Sequence, residues 1–186
     1  MSGKGAYEVL DGYIQPIQSA LHCITPTKLR YRRVELNVNG VLDTEQSPVQ
    51  LRRRDRVSGT RLDPVNLLAI NRYRVVRGPD ALGSEGYQII PTSYEYTILN
   101  DKLREVIAFH WHPGQRSHEH NPHIHIGSIM ADSGSTDFGR AFSRFHIPTG
   151  HIAIAQVVRL LLTDFNVVPN RQDWESVLSQ LNMMAG

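Results

Sequence analysis

The sequence predicts an α+β fold, a twisted antiparallel β-sheet packed against N- and C-terminal helices. Three observations carry this expectation. Between positions 28 and 130, apolar residues alternate with polar ones in several runs separated by turn residues. Near the C-terminus, Ile154, Val157, Val158, Leu161, Leu162 and Phe165 recur at helical spacing. Near the N-terminus, Leu10, Ile14, Ile17 and Leu21 do the same.

The 186 residues suit one domain, 1–186, in three stretches. These are an N-terminal helical segment at 1–27, an antiparallel sheet with a histidine-rich hairpin at 28–130, and a loop plus two C-terminal helices at 131–186. With 40% apolar and 20% charged residues, the chain is of ordinary globular composition. There is no apolar run of the length a membrane span needs, and no apolar region follows Met1-Ser2-Gly3-Lys4-Gly5 as it would in a secretory signal. The lone Cys23 excludes an internal disulfide and fits a reducing compartment, so the expectation is a cytoplasmic protein.

Gly12 and Pro16 interrupt the first helical pattern, which predicts a helix starting near Tyr13, with Pro16 in its first turn. Positions 28–39 read as a strand, and Asn39-Gly40 as a hairpin turn leading to a short return strand at 41–43. Positions 49–57 read as a strand whose parity puts Arg52, Arg54 and Arg56 in one row, ending in a loop at Ser58-Gly59-Thr60 and Asp63-Pro64. A strand at 65–77 and a loop at 78–86 follow. Then come a long strand at 87–100, bent at Pro91, and another at 103–112. A polar loop at 113–121 leads to a strand at 122–129, and Gly, Ser and Asp dominate 131–138. Thr149 is placed to cap the first C-terminal helix, and Asn170 to cap the second.

Six of the nine histidines fall between His110 and His125. On the strand at 103–112, Ile107, Phe109 and Trp111 share the apolar face, leaving His110 and His112 on the other. On the strand at 122–129, Ile124 and Ile126 leave His123 and His125 opposite them. If the two strands pair as a hairpin, all four imidazoles converge on one sheet face, with directly opposed residues about 5 Å apart. His118 and His120 belong to the connecting loop, and His22, His146 and His151 read as isolated structural histidines.

Charge is unevenly spread. Residues 1–80 carry 13 Lys and Arg against 8 Asp and Glu, and residues 81–186 carry 7 against 10. Seventeen of the twenty basic residues are arginine, which grips phosphate with two parallel hydrogen bonds and stacks on bases. Together these features leave several chemistries open. One is metal-free acid–base cleavage of RNA, with His110, His112, His123 and His125 as acid and base. Arg52, Arg54, Arg56, Arg116, His118 and His120 would then contact the substrate. A second is a Zn or Fe centre on the same four histidines, with Glu119 as a further ligand or base. A nucleophilic histidine, as in the histidine-triad hydrolases, is a third, and a non-catalytic RNA- or protein-binding module is a fourth.

The order Tyr94-Glu95-Tyr96, Phe109-His110-Trp111-His112, Asn121-Pro122-His123-Ile124-His125-Ile126-Gly127 and a closing amphipathic helix resembles the TumE-type toxin family of bacterial toxin–antitoxin systems. The likeness covers residues 28–165 in layout and 94–127 in motif. Pro122, His123, His125 and Gly127 match. His110 and His112 stand where that family has Arg and Asp, and Ile124 stands where it has a second His. The resemblance implies a metal-independent endoribonuclease toxin acting on RNA and neutralised by a cognate antitoxin protein, with no membrane partner and with a homodimer left open.

Overall fold

A computed structural model of the chain describes residues 2–3, 5–31, 39–44, 48–79, 83–114, 119–127 and 145–184. Among them, nine strands form one antiparallel sheet. They are β1 (Ser2–Gly3), β2 (Arg30–Tyr31), β3 (Asn39–Asp43), β4 (Val49–Arg54), β5 (Arg61–Pro79), β6 (Glu85–Leu99), β7 (Glu105–Trp111), β8 (His123–Ile126) and β9 (His146–Pro148). The order across the sheet is β2-β3-β5-β6-β7-β8-β9. Strand β4 pairs with β5 further along the edge that β3 uses, and β1 pairs with β6. Three helices, α1 (Ala6–Leu21), α2 (Ile154–Thr163) and α3 (Trp174–Met184), complete the α+β architecture.

The long β5–β6 ladder, from Asn66 opposite Leu99 to Pro79 opposite Glu85, is the spine of the sheet. It is sustained by alternation: Val65, Leu67, Ala69, Tyr73 and Val75 of β5 and Tyr96 and Ile98 of β6 point to one side and are buried. Leu10, Ile14 and Leu21 of α1 and Val157, Val158 and Leu161 of α2 join that core. The ladder slips by one residue where Pro91 lies opposite Tyr73 and Ser93 opposite Arg72. Proline has no N–H for the ladder, and the bulge is where a sheet accepts it.

Several boundaries differ from the sequence expectation, each for a local reason. Helix α1 begins at Ala6 and carries Pro16 in its interior. The carbonyl that Pro16 leaves without its helical N–H belongs to Gly12, an exposed residue. Asn39 and Gly40 lie within β3 and make no turn there; a Cβ on Gly40 would fall 2.4 Å from the Tyr73 ring that covers it. Asp63 and Pro64 lie within β5, on a stretch flanked only by β4, beside a bulge at Leu51/Arg53. The turn before it is closed by Asp55, whose carboxylate accepts from Val57 N, Ser58 N and Ser58 Oγ. Helix α2 is capped at Ala153, whose N–H donates to Gln156 Oε1, while the Thr149 N–H donates to Pro122 O. Asn170 ties the start of the last segment to the end of α1 through His22 O and Cys23 O. Most of the strand expected at 28–39 and the segment 131–138 lie outside the described residues.

The arginine row survives within β4. At the Leu51/Arg53 irregularity the extra residue lies in β5, where Val65 pairs with Leu51 and Leu62 with Arg53, so β4 keeps its alternation. Leu51 is buried and Arg53 half-buried, Arg52 and Arg54 are exposed, and Arg56 lies past the end of the strand, in the turn. Arg53 turns its guanidinium to Phe165 O and Asp63 O, and Arg56 donates to Leu162 O. Both thereby place positive charge on carbonyls at the C-terminal end of α2, where the helix dipole is negative.

Candidate metal centre

The hairpin inferred from parity is present. Phe109 lies opposite Ile124 and Ile107 opposite Ile126, on the core side. His110 lies opposite His123 and Ala108 opposite His125, on the far side. Strand β9 then continues the row, with His146 opposite His125 and Pro148 opposite His123. Five imidazoles therefore crowd one patch of the sheet: centroids are 5.7 Å apart for His110–His123, 4.8 Å for His110–His125, 5.3 Å for His112–His123 and 4.3 Å for His125–His146.

Two features of the backbone hold this patch together. The Gly127 N–H donates to Val106 O, and the strands run so close there that a Cβ on Gly127 would lie 1.9 Å from Glu105 O. Any other residue would push the end of β8 away from β7. At the other end, Thr149 N donates to Pro122 O and seats β9 on β8.

His123 is the centre of the patch and is 1% exposed. Its Nδ1 lies 2.7 Å from Asn121 O. A carbonyl only accepts, so Nδ1 carries a proton, and in the neutral tautomer that this assigns, the lone pair is on Nε2. That Nε2 is buried and has no hydrogen-bond partner among the described residues, as are His110 Nε2 and His112 Nδ1. Ligand nitrogens of His110, His112 and His123 all lie within 4.8 Å of one another, and so do those of His123, His125 and His146. His110 and His125 are pushed down to about 4, first by burial and then by the neighbouring imidazoles. Both are neutral at pH 7, the state in which imidazole binds a metal.

Among the described residues, no carboxylate joins either triad. The acid that feels the site most is Glu119, which accepts the Asn121 N–H at 2.9 Å. That bond holds its carboxyl below the usual range, with His123 and His146 adding to the effect. Glu95 stands opposite His110 in the β6–β7 register.

The four histidines expected from parity are thus brought together. His146, which the sequence left isolated, is the addition; its only signal in the sequence was its place between the apolar Phe145 and Ile147, and it opens the three-residue strand His146–Pro148. His120 is exposed, and Arg116 and His118 lie outside the described residues. Arg52, Arg54 and Arg56 do not reach the patch. Strand β4 is separated from β7 by β5 and β6, a distance of about 14 Å at the spacing of paired strands. No family model, no curated protein and no solved structure matches the chain.

Proposed function

We propose that the histidine face binds one divalent transition-metal ion, Zn or Fe, and that the protein is a metal-dependent hydrolase. The observation that carries this reading is His123: its Nδ1 proton is committed to Asn121 O, and its buried Nε2 is left without a partner among four other imidazoles. A histidine oriented by a backbone carbonyl through one nitrogen, with the other free, is the usual arrangement of a metal ligand. An all-imidazole donor set leaves the ion its full positive charge. Such an ion lowers the pKa of a bound water to about 7 and supplies hydroxide at neutral pH. Glu119, whose carboxyl feels His123 and His146, is the proton acceptor we assign to that water. His123 offers a single free nitrogen and belongs to both triads, so the site takes one ion per chain.

The metal-free endoribonuclease that the toxin resemblance implies, with RNA as substrate and an antitoxin as partner, is the second reading. Its support is the same crowding, which puts a base and an acid within one ring-to-ring distance. His110 and His125, held near 4, are poorly matched to that task, because an effective general acid has a pKa near the working pH.

Elemental analysis of protein purified without chelator, paired with hydrolysis of bis(p-nitrophenyl) phosphate and of a short RNA, separates the two. The metal reading expects about one equivalent of metal per chain, with hydrolysis lost in dipicolinate and restored by Zn or Fe. RNA cleavage that persists in chelator and leaves 2′,3′-cyclic phosphate ends would transfer the function to the second reading. Metal-free protein that neither takes up added metal nor cleaves either substrate would defeat both.

A further inference from the structure

A second concentration of unusual residues lies at the opposite end of the sheet. Arg52, Arg53 and Arg54 of β4, Arg61 of β5 and Val168 line a cleft of about 250 Å³. Four of its five lining residues are arginines, and no acidic residue lines it. Arg54 and Arg61 stand directly opposite one another in the β4–β5 register. Like charges in that position destabilise a sheet. Arg53 is anchored by Phe165 O and Asp63 O, whereas Arg52, Arg54 and Arg61 are exposed and their guanidinium groups make no hydrogen bond or ion pair to another described residue. Asp55 lines an adjoining cleft, and its Oδ1 is engaged by Val57 N, Ser58 N and Ser58 Oγ of its own turn.

Arg54 and Val168 are shared with a second, adjoining cleft of about 520 Å³, which is lined also by Arg56, Leu162 and Trp174. The guanidinium of Arg159 lies 6.0 Å from the centroid of the Trp174 ring. A phosphate-sized pocket of arginines thus opens onto a larger pocket with a partly exposed indole. Arginine binds phosphate through parallel hydrogen bonds, and an indole face stacks on a nucleobase. We infer that these two clefts form a nucleotide-binding site, with the phosphate held by Arg52, Arg54 and Arg61 and the base lying against Trp174. The site is separate from the histidine face and does not depend on a metal there. The same chemistry is offered by a free nucleotide and by one nucleotide of a single strand.

The test uses the full chain in chelator-containing buffer, with Trp fluorescence and calorimetry as readouts. The probes are inorganic pyrophosphate, ADP and an eight-residue oligouridine. ADP or the oligonucleotide is expected to bind saturably and to quench Trp fluorescence. The Arg54→Ala/Arg61→Ala double variant is expected to bind at least tenfold more weakly and to show a shallower salt dependence. Trp174→Phe should abolish the quench and bring ADP affinity close to that of pyrophosphate. Binding of the oligonucleotide tenfold or more tighter than ADP assigns the site to a nucleic-acid strand, and equal or weaker binding assigns it to a free nucleotide. The inference is overturned if no probe binds saturably, or if affinity is unchanged in the double variant. Both side chains are exposed and make no hydrogen bond to another described residue, and alanine keeps the backbone bonds, so the variant is expected to fold, which circular dichroism checks.

Discussion

His125 of β8 lies directly opposite His146 of β9, and their rings are 4.3 Å apart. Strand β9 is only three residues long, and all three are exposed. Two such strands gain little from a ladder of this length, so a metal bridging His125 and His146 would secure β9 far more firmly than its backbone bonds do. In the proposed centre, metal binding would thereby be linked to the seating of the segment that leads into α2.

The sharing of His123 gives the first prediction. His123→Ala removes the nitrogen common to both triads and is expected to weaken Zn binding by about 100-fold or more, given that even outer partners of ligands are worth 10–100-fold. His112→Ala and His146→Ala then report which triad holds the ion, since the variant that lowers affinity contributes a ligand. Competition with a chromophoric chelator measures all three. Undiminished affinity in His123→Ala would remove the proposed centre.

The close approach at Gly127 gives the second. Gly127→Ala puts a Cβ at 1.9 Å from Glu105 O, a backbone atom that moves only with its strand. The expected loss of stability is about 3 kcal/mol, in the range of changes that force backbone apart. Urea denaturation measures it. A change under about 0.5 kcal/mol, the scale of an ordinary surface substitution, would mean that β8 can shift at no cost.

Arginines neighbouring in sequence should differ. Arg53→Ala breaks bonds to Phe165 O and Asp63 O and is expected to cost about 1.5–3 kcal/mol, as for hydrogen bonds to charged groups. Arg52→Ala, at an exposed position without such bonds, should stay within about 0.5 kcal/mol. Equal effects in thermal or urea unfolding would contradict the assignment of Arg53 to the end of α2.

Cys23 is completely buried and its thiol donates to Ser19 O. Burial is the largest influence on it and pushes its pKa up; Arg171 pulls it down and Asp173 raises it further. The thiolate therefore forms only above the ordinary cysteine range, and at pH 8 both access and ionisation are against reaction. Ellman's reagent should react slowly with the native protein and rapidly in urea. Rapid reaction under native conditions would show that the packing between α1 and the 170–173 segment opens readily.

Much of this protein was written in one-dimensional periodicity. Alternation of Phe109 and Trp111 with His110 and His112, and of Ile124 and Ile126 with His123 and His125, was enough to place four imidazoles on one face. The reason is that strand side chains alternate strictly and the apolar set must face the core. The amphipathic spacing of α2 and the bend at Pro91 were legible for similar reasons. Tertiary structure alone decided what depended on unlike segments meeting. His146 joined the site because β9 docks on β8 across an intervening 19 residues, a pairing that no local pattern encodes. Arg53 and Arg56 were drawn to α2 by carbonyls more than a hundred positions away. The turn after Arg54 took Arg56 off the strand, so that only Arg52 and Arg54 of the expected row lie on β4. The sequence by itself determined which residues could share a face. The fold decided which faces met, because register and long-range pairing are settled by packing between segments that are distant in the chain.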